Sequence, residues 1–487
     1  MKLSATQRIA KNFTWLSIGD VLSRGINFFA VVYIARVLGA AVFGLLTFAQ
    51  AILMYLILLV DSGLSLFGTR EIARSRGREG RITLNILVIR FLIAALVFAV
   101  SFAVLWALPL SFITRLFFMG IFMFIFYRAL DTDWIFQGLE RMEYIAVSRI
   151  LYSVLMFILI VVLVKDSQDL IRIPFIYFGC GIAVSFLFLA ILFKYFTRSS
   201  LGHLSPADWW DYFSEAVPLG ASAILIQIYN NMDTIMLWFM DKPRVVGYYN
   251  VAYKVFFIFA GFLGLWQATA FPVVSKRIGL SKVKTRNFLQ KYMRLTLLAI
   301  IPISFLVALG SPLIIRGLFG KEYLLASAAL QILIWNLLVI AVSGIYGGLM
   351  LIPAGYSRQY LLAMGAGAGL NIILNFILIP PFSYIGAAIA TLLTGIFVCL
   401  AVFLFSRKVF YLGFLKDSLK PLFVSILSFV VFIAAFHVLS VLSYYARLLT
   451  ACMVFLMVYL TTIIYIEHRF LGSFVREIAK LRKLGSS

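Results

Sequence analysis

The chain has 487 residues, 63% of them hydrophobic and only 13% charged, with a mean hydropathy of +1.04 and a formal net charge of +23. So little polar surface excludes a water-soluble domain of this size. The three cysteines, Cys180, Cys399 and Cys452, lie in apolar stretches without pairing or metal-ligand spacing, which excludes a disulfide framework and reads as small packing residues.

A hydrocarbon core about 30 Å thick takes roughly 20 apolar residues per helical span. Fourteen stretches meet that requirement: 12–35, 42–66, 84–107, 113–137, 143–164, 171–195, 212–239, 246–271, 289–311, 323–352, 359–381, 384–406, 418–440 and 444–466. The predicted fold class is therefore all-α, a polytopic membrane protein with about 14 transmembrane helices and no room for an inserted catalytic domain. The first span follows Lys2, Arg8 and Lys11 and lacks a small-residue cleavage site, so it reads as a retained helix. It carries Asp20, Arg24 and Asn27 at i, i+4 and i+7, on one helix face. The second span holds Asp61 and the third Arg90, which has no obvious partner in sequence. Arg128, Asp131 and Asp133 close the fourth span, and Arg149 stands one to two turns into the fifth. Opposite charges on adjacent antiparallel helices form either a structural clamp or a cytoplasmic gate. The seventh span bears Gln227, Asn230, Asn231, Asp233 and Thr234, and the eighth a lone cation, Lys254.

Charges at membrane depth are costly and face a cavity, the protein interior or one another. Arg24 has two readings. It is a cavity cation whose planar fork suits a phosphate, or it is simply neutralised by Asp20 one turn away. Lys254 either joins it as a point charge or snorkels toward an interface. The amides Asn27, Gln227, Asn230 and Asn231 line a substrate path or pack helix on helix. Asp61 and Asp233 are the embedded acids suited to proton or sodium coupling, and no other cofactor is expected.

Arg24 and Gln227 stand 203 residues apart, as do Asn27 and Asn230. Val42-Phe43-Gly44-Leu45 opens the second span and Val246-Gly247-Tyr248-Tyr249 the eighth at a similar interval. An offset of six helices preserves orientation, so the predicted organisation is two parallel six-helix lobes plus two C-terminal helices. The expected bounds are 1–197, 198–408, 409–470 for spans thirteen and fourteen, and a basic tail at 471–487. In transporters built from such repeats the substrate site lies between the lobes near the midplane. Taking loops alternately, 28 Lys and Arg fall on the side of the N-terminus, 9 on the other and 5 within spans. That bias places both termini in the cytoplasm and sets the basic loops against anionic headgroups, making nucleic acid an unnecessary partner.

No G-x-x-x-x-G-K-[ST], H-E-x-x-H or G-x-S-x-G occurs, so nothing announces an ATPase or an enzyme. Tyr33-Ile34-Ala35-Arg36-Val37-Leu38-Gly39, Asp61-Ser62-Gly63-Leu64, Gly68-Thr69-Arg70-Glu71-Ile72-Ala73, Asp133-Trp134-Ile135-Phe136-Gln137-Gly138 and Ala252-Tyr253-Lys254 occur in this order within the fourteen spans. Over residues 8–408 this pattern resembles the polysaccharide transporter, or oligosaccharide-lipid flippase, family of the multidrug/oligosaccharidyl-lipid/polysaccharide exporter superfamily. The resemblance implies alternating-access flipping of a polyprenyl-(pyro)phosphate-linked oligosaccharide from the cytoplasmic to the outer leaflet of the cell membrane. Arg24 and Lys254 would then meet the phosphate. The implied partners are the lipid-linked oligosaccharide, membrane lipids and glycan polymerase or export machinery. A lysine on the eighth span departs from the family's arginine and puts bidentate phosphate binding there in doubt. The competing classes are a cation-coupled drug or metabolite antiporter, which calls for an acidic cavity, a membrane-embedded glycan polymerase, which calls for a sizeable outward loop, and a passive scramblase.

Overall fold

The computed structural model describes residues 5–74, 77–195, 204–413 and 415–484, without the side chains of 5–10, 13, 195, 219, 221–226, 228–230, 415–417 and 469–484. Among the described residues there is no strand. The helices are α1 (Ala5–Asp61), α2 (Leu64–Arg74), α3 (Glu79–Ala107), α4 (Phe112–Ala129), α5 (Asp133–Gly138), α6 (Met142–Leu163), α7 (Arg172–Tyr195) and α8 (Trp209–Met240). They continue with α9 (Pro243–Ile278), α10 (Lys282–Phe319), α11 (Ala326–Leu333), α12 (Asn336–Tyr346), α13 (Ser357–Ser406), α14 (Leu415–Val438) and α15 (Tyr444–Leu484).

Every expected span has its helix, but the boundaries differ instructively. The first two spans run on as α1, broken only at Gly39, whose φ of 73° and ψ of 167° suit a residue without a Cβ. Spans eleven and twelve run on as α13, broken at Ser383. The fourth span instead divides into α4 and α5, and the tenth into α11, α12 and a π turn over Gly347–Leu351. α15 continues helically to Leu484, through the region expected as a basic tail. Among the described residues, eleven helices are long and apolar enough to cross a membrane, α1 and α13 being long enough for two crossings each. The protein is thus a multi-pass membrane protein.

Two compact units divide the chain. Unit 1 comprises Met1–Val251 and Ala368–Ala387. One apolar cluster gathers Leu64 and Phe67 of α2, Ile86 of α3, Trp134 of α5 and Phe188 of α7. Within this unit the start of the second span crosses the start of α9 with almost no space between backbones. A Cβ on Gly44 would stand 1.9 Å from the carbonyl oxygen of Pro243, and one on Gly247 2.1 Å from that of Ala40. Small residues permit such approach where helices associate by van der Waals packing rather than by a hydrophobic drive. These two glycines are themselves 203 residues apart.

Unit 2 comprises Ala252–Gly367 and Ala388–Ser487. One cluster joins α9, α10, α12 and α13 through Val274, Leu297, Tyr346 and Val402. A second packs α14 against α15 through Val424, Phe432, Phe455 and Tyr459. Glu467, only 2% exposed, pairs with Arg294 of α10 and, at 3.3 Å, with Lys420 of α14, fastening the last helix to both.

Candidate functional site

Unit 1 contains an open polar cavity of about 800 Å³, lined from α1, α2, α4, α5, α6 and α7. The helical period of α1 sets Asp20, Arg24 and Asn27 along its wall. Opposite stands the break between α4 and α5. There the backbone N–H of Asp133 donates to Oδ1 of Asp131 at 3.1 Å, a local turn that ends α4 and aims both carboxylates inward.

The charges are organised in a chain. Arg24 Nε lies 2.8 Å from Asp20 Oδ2, and the Arg24 side chain is 63% exposed to the cavity. Arg149 of α6 reaches the other oxygen of Asp20 at 3.5 Å and donates through Nε to Asp133 Oδ2 at 2.8 Å. Ser148 donates to Asp133 Oδ1 at 3.1 Å. Arg128 pairs with Asp131 at 2.9 Å. Asp20 is therefore shared between Arg24 and Arg149, and neither cation owns it.

Arg90 completes the set and had no legible role. It is 2% exposed, the largest fully buried side chain among the described residues, and lies 3.5 Å from Asp61. Its guanidinium also donates to the backbone carbonyls of Arg128 and Asp131, where α4 ends. Ser65 donates to Asp61. Four carboxylates thus meet four guanidiniums, Arg90 from behind the cavity wall, so the charge around the cavity is balanced, whereas the sequence offered only the cations Arg24 and Lys254 for it. The carbonyl oxygen of Asn27 is buried without a hydrogen-bond partner.

Both sequence readings of Arg24 keep a foothold. The pair with Asp20 is present, and the same Arg24 faces the cavity. The residues expected as clamp or gate share this cavity with Arg24, Asn27 and Asp61, a grouping the sequence did not reveal. The amides of α8 are not among its lining residues. Asn231 donates to Gln227 Oε1 at 3.2 Å on their own helix, and the side chain of Asn230 lies outside the described residues. Lys254 belongs to unit 2, where it makes no ion pair or hydrogen bond with any described residue.

Asp233 sits in a second polar region of unit 1. It is 1% exposed and accepts from the Tyr249 hydroxyl and the Asn375 amide. The same amide donates to Asn371 Oδ1 at 3.1 Å, while Thr234 donates to Asn250 at 3.3 Å. Asn375 Oδ1 is buried without a donor. The i, i+4 spacing of Asn371 and Asn375 in an apolar span was the available sequence signal for this network, and it was missed.

A family model described as "Polysaccharide biosynthesis protein" matches residues 9–277, more than half of the chain. A protein of Escherichia coli (strain K12) named "Putative O-antigen transporter" is 26% identical over 398 residues, covering 77% of this chain and 91% of its own length. Among solved structures, "Lipid II flippase MurJ, inward closed conformation" superposes with a TM-score of 0.74 at 17% identity, covering 94% of this chain and 99% of that one. An inward-facing multidrug resistance MATE family transporter of the MOP superfamily superposes with a TM-score of 0.65 at 14% identity, covering 82% and 97%.

Proposed function

The chain belongs to the polysaccharide biosynthesis protein family, membrane transporters rather than enzymes, and on that premise we propose that it flips a polyprenyl-(pyro)phosphate-linked oligosaccharide from the cytoplasmic to the outer leaflet by alternating access. Both termini are cytoplasmic in this reading, as the 28-to-9 bias of basic residues requires, and two six-helix lobes, 1–197 and 198–408, move about the substrate. The observation that carries the proposal is the cavity at membrane depth in which Arg24 shares its carboxylate with Arg149.

That sharing suits a phosphate. An arriving phosphate takes the place of Asp20 on Arg24, and Asp20 keeps Arg149, so no charge is left bare at any stage. The planar guanidinium matches phosphate oxygens bidentately, while Asn27 supplies an amide beside it. An inside-negative potential favours outward passage of an anion by about 2.3 kcal/mol per charge per 100 mV, which supplies a driving force without ATP. Asp233 is the proposed seat of sodium or proton coupling. Its carboxylate, beside the undonated Asn375 Oδ1, offers the oxygen ligands that a small hard cation takes.

A cation-coupled drug or metabolite antiporter is the second reading, favoured by the four carboxylates gathered around the same cavity. Proteoliposomes bearing a fluorescent polyprenyl-pyrophosphate oligosaccharide separate the two, with leaflet distribution followed under an imposed potential. Flipping that is lost in Arg24→Ala, with the protein still folded, supports the flippase and its cavity cation. Flipping unchanged in that variant reduces Arg24 to a partner of Asp20. A correctly inserted parent that moves organic cations but no lipid-linked sugar replaces the proposal with the antiporter.

A further inference from the structure

Unit 2 contains an apolar slot of about 360 Å³ between α10, α11, α14 and α15. It lies near the ends of α10 and α14 and at the beginning of α15, at the opposite end of that helix from Leu484. Its walls are chiefly Leu309, Pro312, Trp335, Phe432 and Leu448. Phe436 and Tyr444 form its mouth, their rings 6.0 Å apart edge to face.

Two cations stand at this mouth. The Arg316 guanidinium lies 3.8 Å from the ring centroid of Tyr445, and that of Arg447 lies 4.0 Å from the ring centroid of Phe436. Neither pairs with a carboxylate among the described residues, and Arg447 Nε is buried without a hydrogen-bond partner. Stacking holds the faces of the two guanidiniums and leaves their N–H edges available for an oxyanion. Beside them, the turn between α14 and α15 presents a bare apolar tip, with Val441 96% exposed. Such a tip suits a setting among lipid headgroups and chain ends.

The two halves of one amphipathic anion are therefore provided for side by side, a chain-lined slot and a pair of cations lacking a counter-ion. We propose that this slot holds one anionic phospholipid of the leaflet at the start of α15, its phosphate between Arg316 and Arg447 and an acyl chain along Phe432 and Leu448. The lipid then belongs to the bilayer and is not cargo. It completes the packing of the two C-terminal helices against α10.

Native mass spectrometry of the detergent-purified full chain, titrated with phosphatidylglycerol or phosphatidylcholine, tests this directly. One phosphatidylglycerol should be retained with a preference of about thirtyfold, the scale two nearby cations confer on an anionic headgroup. R316Q/R447Q should abolish the preference. Leu309→Trp, which fills the slot and spares both cations, should abolish retention. Equal retention of the two lipids, or retention of phosphatidylglycerol unaltered in either variant, overturns the proposal. Selective retention of a polyprenyl phosphate over phosphatidylglycerol assigns the slot to the carrier and overturns it too. The readout is binding alone, so it stands or falls separately from translocation.

Discussion

Around Asp20 and Asp133 each carboxylate meets a guanidinium, whereas Asp233 accepts from a phenol and an amide. The first region lines a cavity, with its cations and acids arranged so that partners can be exchanged. The second is nearly sealed, with neutral donors and an amide oxygen left over. The two therefore suit opposite tasks. A network of ion pairs can admit an anion by passing one acid from cation to cation. A buried carboxylate among neutral groups is the place to bring a cation. Both regions lie within unit 1 and both looked alike in sequence, as polar residues in apolar spans.

The contrast is broken most severely at Arg90. Arg90→Ala strips Asp61 of its cation and the α4 end of its donor, and loss of one partner of a buried pair costs about 3–5 kcal/mol. The expected outcome is a large fall in thermal stability in detergent, partly restored by Asp61→Asn. An unchanged melting point in the single variant would show that Arg90 does not support the cavity.

Asp233→Asn comes next and sharpens the comparison, because it acts on transport more than on folding. Coupled translocation should fall by about tenfold or more, within the span typical of coupling energies, and lose its dependence on a sodium or proton gradient. A flux that still follows the gradient removes Asp233 from coupling. In the charged region, a double-mutant cycle of Arg149→Ala with Asp133→Ala should return a coupling energy of roughly 0.5–3 kcal/mol in chemical unfolding, as expected for contacting charges. Additive effects there would mean that Arg149 is held mainly by Asp20. The smallest effect is expected at Ser148→Ala, about 1 kcal/mol for one lost hydrogen bond to Asp133, read from the same unfolding curves. A shift as large as that of Arg149→Ala would make the hydroxyl, not the guanidinium, the principal partner of Asp133.

The positions of the helices were legible because each apolar run nearly equals the thickness it must cross. The Asp20–Arg24 pair was legible for a similarly local reason, since i, i+4 neighbours meet whatever surrounds the helix. What lay beyond reach was pairing between helices. Arg149 meets Asp20 across 129 residues, and Asn375 meets Asp233 across 142. Nothing in one helix's own periodicity indicates which neighbour it will face. Arg90 is the clearest instance, as two of its acceptors are backbone carbonyls exposed by a helix break that the apolar run through 113–137 conceals. The balance of charge in the cavity was missed for the same reason. Counting cations along the chain does not show which acids fold back to meet them.

The crossing of Gly44 and Gly247 has a mechanical consequence. Two rods that touch at a bare point, with no side chains interleaved, can turn against each other there without repacking, like the blades of shears about their pin. Because the pin stands at the start of both spans, that end stays nearly still and the amplitude grows toward their far ends. A single methyl group thickens that pin. In Gly247→Ala the added Cβ meets backbone rather than a yielding side chain, so the two helices should part, and a cysteine placed beside Gly44 should become more reactive toward a membrane-impermeant thiol reagent. Unaltered labelling would mean that the crossing is a spacer and not an axle.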